Sequence, residues 1–145
     1  MFVHTIEIEK PLKEVYRALK DPENLPRWLK GLQRTEQISG KPGEVGSVTK
    51  QIYLERGRTV EMIETITKYE PEKFFEGHLE GPGMNAKLRV EFQDMGEKTA
   101  MTFMGDFEPC SLMMRFMMPF MKGAISKRQS GDLETFKRLV EAGEL

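Results

Sequence analysis

The chain has 145 residues, the size of one domain, and its single cysteine, Cys110, excludes an internal disulfide and a metal cage built from cysteines. The formal net charge of −1, with basic residues spread along the chain, does not point to a nucleic acid or an anionic bilayer as the partner. The sequence has no leader-like start and no apolar run of about 18 residues, so we expect a cytoplasmic protein without an integral membrane segment.

The first thirty residues predict one strand followed by two short helices. Alternating apolar side chains predict a half-buried strand over residues 2–9. Pro11 suits the first position of a helix, and apolar residues follow it at helical spacing. Asp21 and Pro22 are expected to end that helix and to start a second one reaching about Arg27, because aspartate accepts hydrogen bonds from free backbone amides and proline needs none.

After Gly31 the apolar period changes, and six short alternating runs predict six more strands. Turns rich in glycine and proline separate these runs, which predicts short hairpins and an antiparallel meander. The predicted strands cover residues 32–38, 45–54, 58–68, 74–79, 86–93 and 99–108. Together with the first strand they make a sheet of seven.

The last third of the chain, from Pro109 to Leu145, predicts a long helix. At about 100° per residue, one stripe holds Met114, Met118, Met121, Ile125, Gln129, Leu133, Phe136 and Val140. A second apolar row covers only the first half: Met113, Phe116, Met117, Phe120 and Ala124. That half is apolar nearly all round and needs a second partner, which we interpret as a ligand, another subunit or a membrane surface. Pro119 predicts that the helix kinks or starts anew there.

This order of elements predicts an α+β fold, in which a curved seven-stranded antiparallel sheet grips the C-terminal helix and leaves a hollow beside it. Four segments spread over nearly the whole chain then show a resemblance: EIEKPLKEVYRALKDPENLPRWLKGL, GEVGS, ITKYEPEKF and GDLETFKRLVE. They resemble the START-like (SRPBCC) helix-grip superfamily, specifically its bacterial polyketide cyclase/dehydrase-like members. The resemblance implies one START-like domain over residues 1–145. It implies no single function, because the superfamily includes lipid carriers, hormone receptors, aromatic cyclases, quinone-binding proteins and chaperone regulators.

The methionine-rich start of the helix predicts that the hollow binds a hydrophobic small molecule, because methionine adapts to ligands of varying shape. The resemblance implies that this molecule is a lipid, a quinone or a polyketide-like compound. The candidate ligand-binding residues are Met62, Glu64, Met114, Met117, Met118, Met121, Ile125, Gln129 and Trp28. For each methionine the alternative is ordinary core filling. For Trp28, packing is favoured over stacking on a ligand.

Two side chains are candidates for acid-base chemistry, although the sequence assigns no catalytic residue. Glu64 shares a strand face with Met62 and Ile66, and burial of that face would raise its pKa; the strand register decides whether this happens. His4 shares a face with apolar residues, but a hydrogen-bonded histidine near the sheet edge is the favoured interpretation. His78 receives no role. Four residues are candidates for polar contacts at the rim, with an ordinary exposed position favoured: Tyr53, Tyr69, Arg58 and Arg89.

The sequence contains no Walker loop, no HExxH and no glycine-rich dinucleotide turn, so we expect no cofactor and no metal site. Three functions stay open. The first and favoured one is non-catalytic binding of a hydrophobic molecule. The second is a cyclase or dehydratase-type enzyme using Glu64 or His4, which two or more polar side chains converging in the hollow would favour. The third is a protein-interaction module, for example a homodimer formed through Met113, Phe116, Met117 and Phe120.

Overall fold

The computed structural model describes residues 2–145 and confirms the predicted α+β architecture of a seven-stranded antiparallel sheet and a long C-terminal helix. The strands are β1 (Phe2–Ile8), β2 (Leu32–Ser39), β3 (Val48–Glu55), β4 (Arg58–Glu70), β5 (Phe74–Gly81), β6 (Met84–Asp94) and β7 (Thr99–Pro109). The helices are α1 (Leu12–Lys20), α2 (Leu25–Trp28) and α3 (Leu112–Glu141), with a 3₁₀ turn at Pro22–Asn24 before α2.

The strands lie in the order β1-β7-β6-β5-β4-β3-β2, and all neighbours are antiparallel. The six strands from β2 to β7 form the predicted meander. β1 joins the far edge by pairing with β7, so that Phe2 lies opposite Gly105 and Ile8 opposite Thr99. The sheet therefore has two edge strands, β1 and β2.

The pairing of β4 with β5, in the middle of the sheet, contains an irregularity. The register between the two strands shifts between Ile66 and Lys68. Such a bulge bends its strand and increases the local twist. Gly77 of β5 lies opposite Ile66, and a Cβ atom there would be 2.5 Å from the carbonyl oxygen of Thr65. A glycine is therefore needed at this bend in the sheet.

The helix α3 is one continuous element from Leu112 to Glu141, so it does not start anew at Pro119, and a kink there stays a prediction. Its first turn is capped by Ser111, whose hydroxyl accepts a hydrogen bond from the backbone N–H of Met114 at 3.2 Å. Proline lacks the N–H that would bond the carbonyl four residues earlier. The carbonyl that loses its partner is that of Arg115, four residues before Pro119. Because Arg115 is exposed, water can supply the missing hydrogen bond and the helix continues.

The hydrophobic core lies under the C-terminal half of α3. It contains Ile8, Val15, Ala18, Trp28, Val90, Met101, Leu133, Phe136, Leu139 and Val140. The rings of Trp28 and Phe136 are 5.0 Å apart between centroids, which joins α2 to α3. Leu133, Phe136 and Val140 of the predicted stripe are all buried in this core.

The boundaries differ from the predicted ones chiefly at the start of β3, which begins at Val48 and not at residue 45. Two turn hydrogen bonds explain the difference: Glu44 N–H donates to the carbonyl of Lys41, and Ser47 N–H donates to the carbonyl of Glu44. A smaller difference concerns Pro11, which caps α1 and precedes its first helical residue. Asp21 acts as expected, because its carboxylate accepts from the backbone N–H of Glu23 at 3.0 Å.

Candidate functional site

A cavity of about 560 Å³ lies between the inner face of the sheet and α3. Its volume falls within the range of small-molecule sites in proteins. The strands from β5 to β7 give it an apolar wall made of Phe75, Leu79, Leu88, Val90, Phe103 and Phe107. Met114, Met121 and Ile125 of α3 extend this apolar surface.

The part of the wall formed by β3 is polar, in contrast to β5 to β7, and β4 adds the carboxyl group of Glu64 among apolar residues. Alternate residues of β3, namely Thr49, Gln51 and Tyr53, belong to the cavity wall. The Tyr53 hydroxyl donates to the side-chain oxygen of Gln51 at 3.0 Å. Glu64 of β4 lies directly across from Thr49 in the strand register. Four polar side chains on two neighbouring strands therefore share one side of the cavity.

Glu64 supplies a carboxyl group to this part of the wall, and folding changes its surroundings. Glu64 lies on the inner face of β4 together with Met62 and Ile66. This placement answers which face of the strand is covered, a question that the sequence left open. Burial raises the pKa of its carboxyl group above the ordinary value. Within residues 2–145, the side-chain carboxyl group of Glu64 has no hydrogen-bond or ion-pair partner. Burial and then the nearby charge of Glu64 raise the pKa of Tyr53, which keeps that hydroxyl protonated.

Two further buried polar atoms in the cavity wall lack a partner in the described part of the chain. They are the side-chain oxygen of Gln129 on α3 and the indole N–H of Trp28 on α2. A buried polar atom without a hydrogen bond is costly, and most such atoms in native proteins are satisfied. The first can accept a hydrogen bond from a bound molecule, and the second can donate one.

Charged residues from α3 enter the wall near α2. Arg128 forms an ion pair with Glu55 of β3 at 2.5 Å and also donates to the backbone carbonyl of Lys30. The Asp132 carboxylate accepts from the backbone N–H of Lys30 at 3.2 Å, and burial raises the pKa of Asp132. These contacts fix α3 against the segment that joins α2 to β2. Sequence reasoning missed Arg128 and Asp132, although their spacing of four residues places them on one helix face.

Seven of the nine proposed ligand-binding residues line the cavity: Met62, Glu64, Met114, Met121, Ile125, Gln129 and Trp28. Whether they contact a ligand stays a prediction. Met117 and Met118 lie outside the wall, contrary to expectation. Met117 is exposed, whereas Met118 is buried. The apolar stripe predicted from the sequence is broader than the part of α3 that faces the cavity. Other parts of α3 pack on β1 and β7.

The other acid-base candidate, His4, does not line the cavity. Its Nε2 atom lies 3.3 Å from the hydroxyl of Ser126 on α3, so it is a hydrogen-bonded histidine on an edge strand. His78 is exposed. Among the rim candidates, Tyr53 belongs to the wall and Arg89 instead forms ion pairs with Glu76 and Glu91 on the sheet. Tyr69 and Arg58 lie outside the wall.

Within residues 2–145, no group of three or more histidine, cysteine, aspartate or glutamate side chains is arranged to hold a metal ion. No helix in this range has the length and apolarity needed to cross a membrane.

The family model described as "Polyketide cyclase / dehydrase and lipid transport" matches residues 1–141. The chain belongs to this family. A search of curated proteins finds no match. Membership in the polyketide cyclase/dehydrase and lipid transport family agrees with the resemblance found in the sequence, and with the sheet, helix and cavity described above.

Solved structures similar to this family member share its fold at low sequence identity. An aromatase/cyclase, Zhui, from Streptomyces sp. R1128 has a TM-score of 0.80 at 13% identity, covering 97% of this chain and 92% of that chain. A protein from Thermus thermophilus, TTHA0849, has a TM-score of 0.78 at 18% identity, covering 99% and 98%. A START superfamily protein from Mycobacterium smegmatis has a TM-score of 0.71 at 16% identity, covering 98% and 94%. These likenesses establish the START-like, helix-grip fold.

Proposed function

We propose that this protein binds a hydrophobic small molecule in the cavity between the sheet and α3. The observation that supports this most directly is the cavity itself, which has an apolar wall on β5 to β7 and unpartnered polar atoms elsewhere in its lining. Burial of apolar ligand surface supplies most of the binding free energy in such a site, and a few polar groups orient the ligand. The family description, which names both cyclases and lipid transport, supports the same ligand class.

The two unlike walls favour one orientation of the ligand. Its apolar body would lie against β5 to β7 and against Met114, Met121 and Ile125 of α3. Its polar group would point towards Glu64. Glu64 and the Gln129 oxygen can both accept hydrogen bonds, so the polar group of the ligand is best a donor such as a hydroxyl. Hydroxyl-bearing lipids, reduced quinones and polyketide-like phenols meet this description.

Filling the cavity tests the proposal. Leu79 lies in the apolar wall on β5, so Leu79→Trp should weaken binding of a fluorescent apolar probe by about tenfold or more, roughly 1.4 kcal/mol. Leu54→Trp is the matched control, because Leu54 is exposed on β3 and lies outside the cavity wall. Equal probe binding by the wild type and both variants would refute a ligand site in this cavity. Native mass spectrometry of freshly purified protein would identify a retained ligand.

A cyclase or dehydratase-type reaction is the second candidate function, and the convergence of Glu64, Gln51 and Tyr53 on one wall favours it. A carboxyl group with a raised pKa in a cavity suits a general acid or base. His4 is no longer proposed for this role, because it lies outside the wall. The substitution Glu64→Gln separates the two functions. Binding of an apolar probe should change by less than about tenfold, whereas a reaction that depends on Glu64 should slow by about two orders of magnitude or more.

A cytoplasmic location and a homodimer formed through Met113, Phe116, Met117 and Phe120 stay predictions. The dimer is tested together with the surface described next.

A further inference from the structure

The first half of α3 exposes an apolar surface that no described residue covers. Half of the ten exposed large apolar side chains within residues 2–145 lie in this segment of nine residues. They are Leu112, Met113, Phe116, Met117 and Phe120, and the two phenylalanines are 77% and 81% exposed. The rings of Phe116 and Phe120 lie next to each other, 6.5 Å apart between centroids. A concentrated apolar patch of this kind usually marks an interaction surface.

All charged residues in and around this segment are basic, although the net charge of the whole chain is close to zero. Between Glu108 and Asp132 there are four basic residues and no acidic residue, although the whole chain carries a net charge of −1. Of these four, Arg128 is used internally in its ion pair with Glu55. The other three, Arg115, Lys122 and Lys127, are exposed and have no ion-pair partner in the described range. The N-terminal end of the α3 dipole adds positive potential near Leu112.

The exposed surface also lies next to the cavity. Met114 and Met121, which alternate along the helix with the exposed residues, belong to the cavity wall. The hairpin between β5 and β6 lies against the same end of α3, because a Cβ atom at Gly83 would be 3.0 Å from the Cγ atom of Met114. Pro82 of this hairpin lines the cavity. One end of the ligand site is therefore formed by the helix turns that expose the apolar patch.

We propose that residues 112–127 dock on the surface of a membrane with anionic headgroups. In this arrangement Phe116 and Phe120 enter the boundary between headgroups and acyl chains, as the apolar face of an interfacial helix does. Lys127 lies on the same face of α3 as Phe116 and Phe120, about two turns beyond Phe120. Arg115 and Lys122 project from another exposed side of the helix, where their long side chains and the reach of the surface potential allow attraction to anionic lipids.

A second copy of the chain fits this surface less well. In a two-fold dimer the same patch of each copy meets its equivalent. The contact would bring Lys127 of one copy close to the same basic segment of the other, and residues 109–131 offer no carboxylate to compensate this charge. An anionic bilayer supplies the missing negative charge.

Sedimentation with lipid vesicles tests the proposal on the full chain. The probes are vesicles of phosphatidylcholine alone and vesicles in which one third of the lipid is phosphatidylglycerol. We expect the wild type to bind the anionic vesicles about tenfold or more tightly than the neutral ones, with binding that weakens as salt is added. Phe116→Ser combined with Phe120→Ser should weaken anionic binding by about tenfold or more. Lys122→Gln combined with Lys127→Gln should reduce the preference for anionic vesicles.

The control variant is Ile38→Ser combined with Leu54→Ser, which removes two exposed apolar side chains from β2 and β3 and should bind vesicles as the wild type does. Probe binding in the cavity should be unchanged in the double phenylalanine variant, so the vesicle result is independent of the ligand proposal. Absence of vesicle binding, or equal binding by wild type and double phenylalanine variant, would overturn the docking proposal. Sedimentation equilibrium that shows a micromolar dimer, abolished by the phenylalanine substitutions, would assign the surface to a second copy and overturn it as well.

Discussion

The two halves of α3 belong to the same helix but have opposite surroundings. The C-terminal half buries Leu133, Phe136, Leu139 and Val140, whereas the N-terminal half buries only Met118. The first group packs on α1, α2 and β1 in the main core, while the other half borders a cavity on one side and solvent on the other. Stability is therefore concentrated at one end of the helix. The other end keeps apolar surface available for binding, and local stability in proteins commonly differs in this way.

The largest expected effect tests the packed half. Phe136→Ala removes a fully buried ring that packs on Trp28, so it should lower the free energy of unfolding by about 3 to 5 kcal/mol. Urea unfolding followed by circular dichroism measures the change. The matched control is Phe120→Ala on the exposed half, which should stay within about 0.5 kcal/mol of the wild type. Similar costs for the two substitutions would remove the distinction between the halves.

A smaller effect concerns the pH dependence of stability that Glu64 causes in the cavity beside the N-terminal half of α3. Because burial raises the pKa of Glu64, the native state keeps this proton to a higher pH than the unfolded chain does. Below the ordinary glutamate pKa of about 4.3, both states are protonated and Glu64 contributes no pH dependence. Above it, the native state binds more protons, so the contribution of Glu64 to stability falls as pH rises towards the native pKa.

Measuring the free energy of unfolding at a series of pH values, from about 4 to about 8, tests this sign. The wild type should lose stability across the window relative to Glu64→Gln, which carries no titrating group there. Glu80→Gln, at an exposed position on β5, is the control and should follow the wild type. A pH profile of Glu64→Gln parallel to that of the wild type would show that Glu64 titrates normally and is not buried in a dry cavity.

The smallest effect concerns Met118, the one buried residue of the N-terminal half. Met118→Leu nearly conserves volume, and the cost should be below about 1.5 kcal/mol. The same urea titration measures it. If this substitution destabilises the protein as much as Phe136→Ala does, the N-terminal half is packed as tightly as the C-terminal half and the comparison fails.

Local periodicity was enough to predict the sheet and α3, because strands and helices leave different apolar periods in the sequence. It did not indicate which face of β3 lines the cavity, for a physical reason. There the polar residues Thr49, Gln51 and Tyr53 face the cavity, and the buried Ile52 lies outside its wall. Apolar residues mark the inner face of a packed core, but the face that lines a cavity can be polar.

The contacts of Arg128 could not be predicted from the sequence. Its partner Glu55 lies on β3 and its other acceptor is the carbonyl of Lys30, both distant in sequence. The sequence pattern of a charged residue beside an apolar stripe is the same whether that residue faces water or forms an ion pair with a carboxylate on another element. The inward direction of Glu64 was suggested by its alternation with Met62 and Ile66, but only the tertiary fold decides which face of the strand is covered.

The pairing of β1 with β7 has a consequence for how the chain acquires its fold. Phe2 meets Gly105 and Ile8 meets Thr99, so nearly the entire meander lies between these partners in sequence. Contacts between distant segments form late and slow folding, because the entropy of closing the long loop is lost before the contact is gained. During synthesis the first strand must wait as an unpaired segment until almost the whole sheet has emerged from the ribosome. The sheet can therefore be completed only after β7, the last strand to be made, is available to pair with β1.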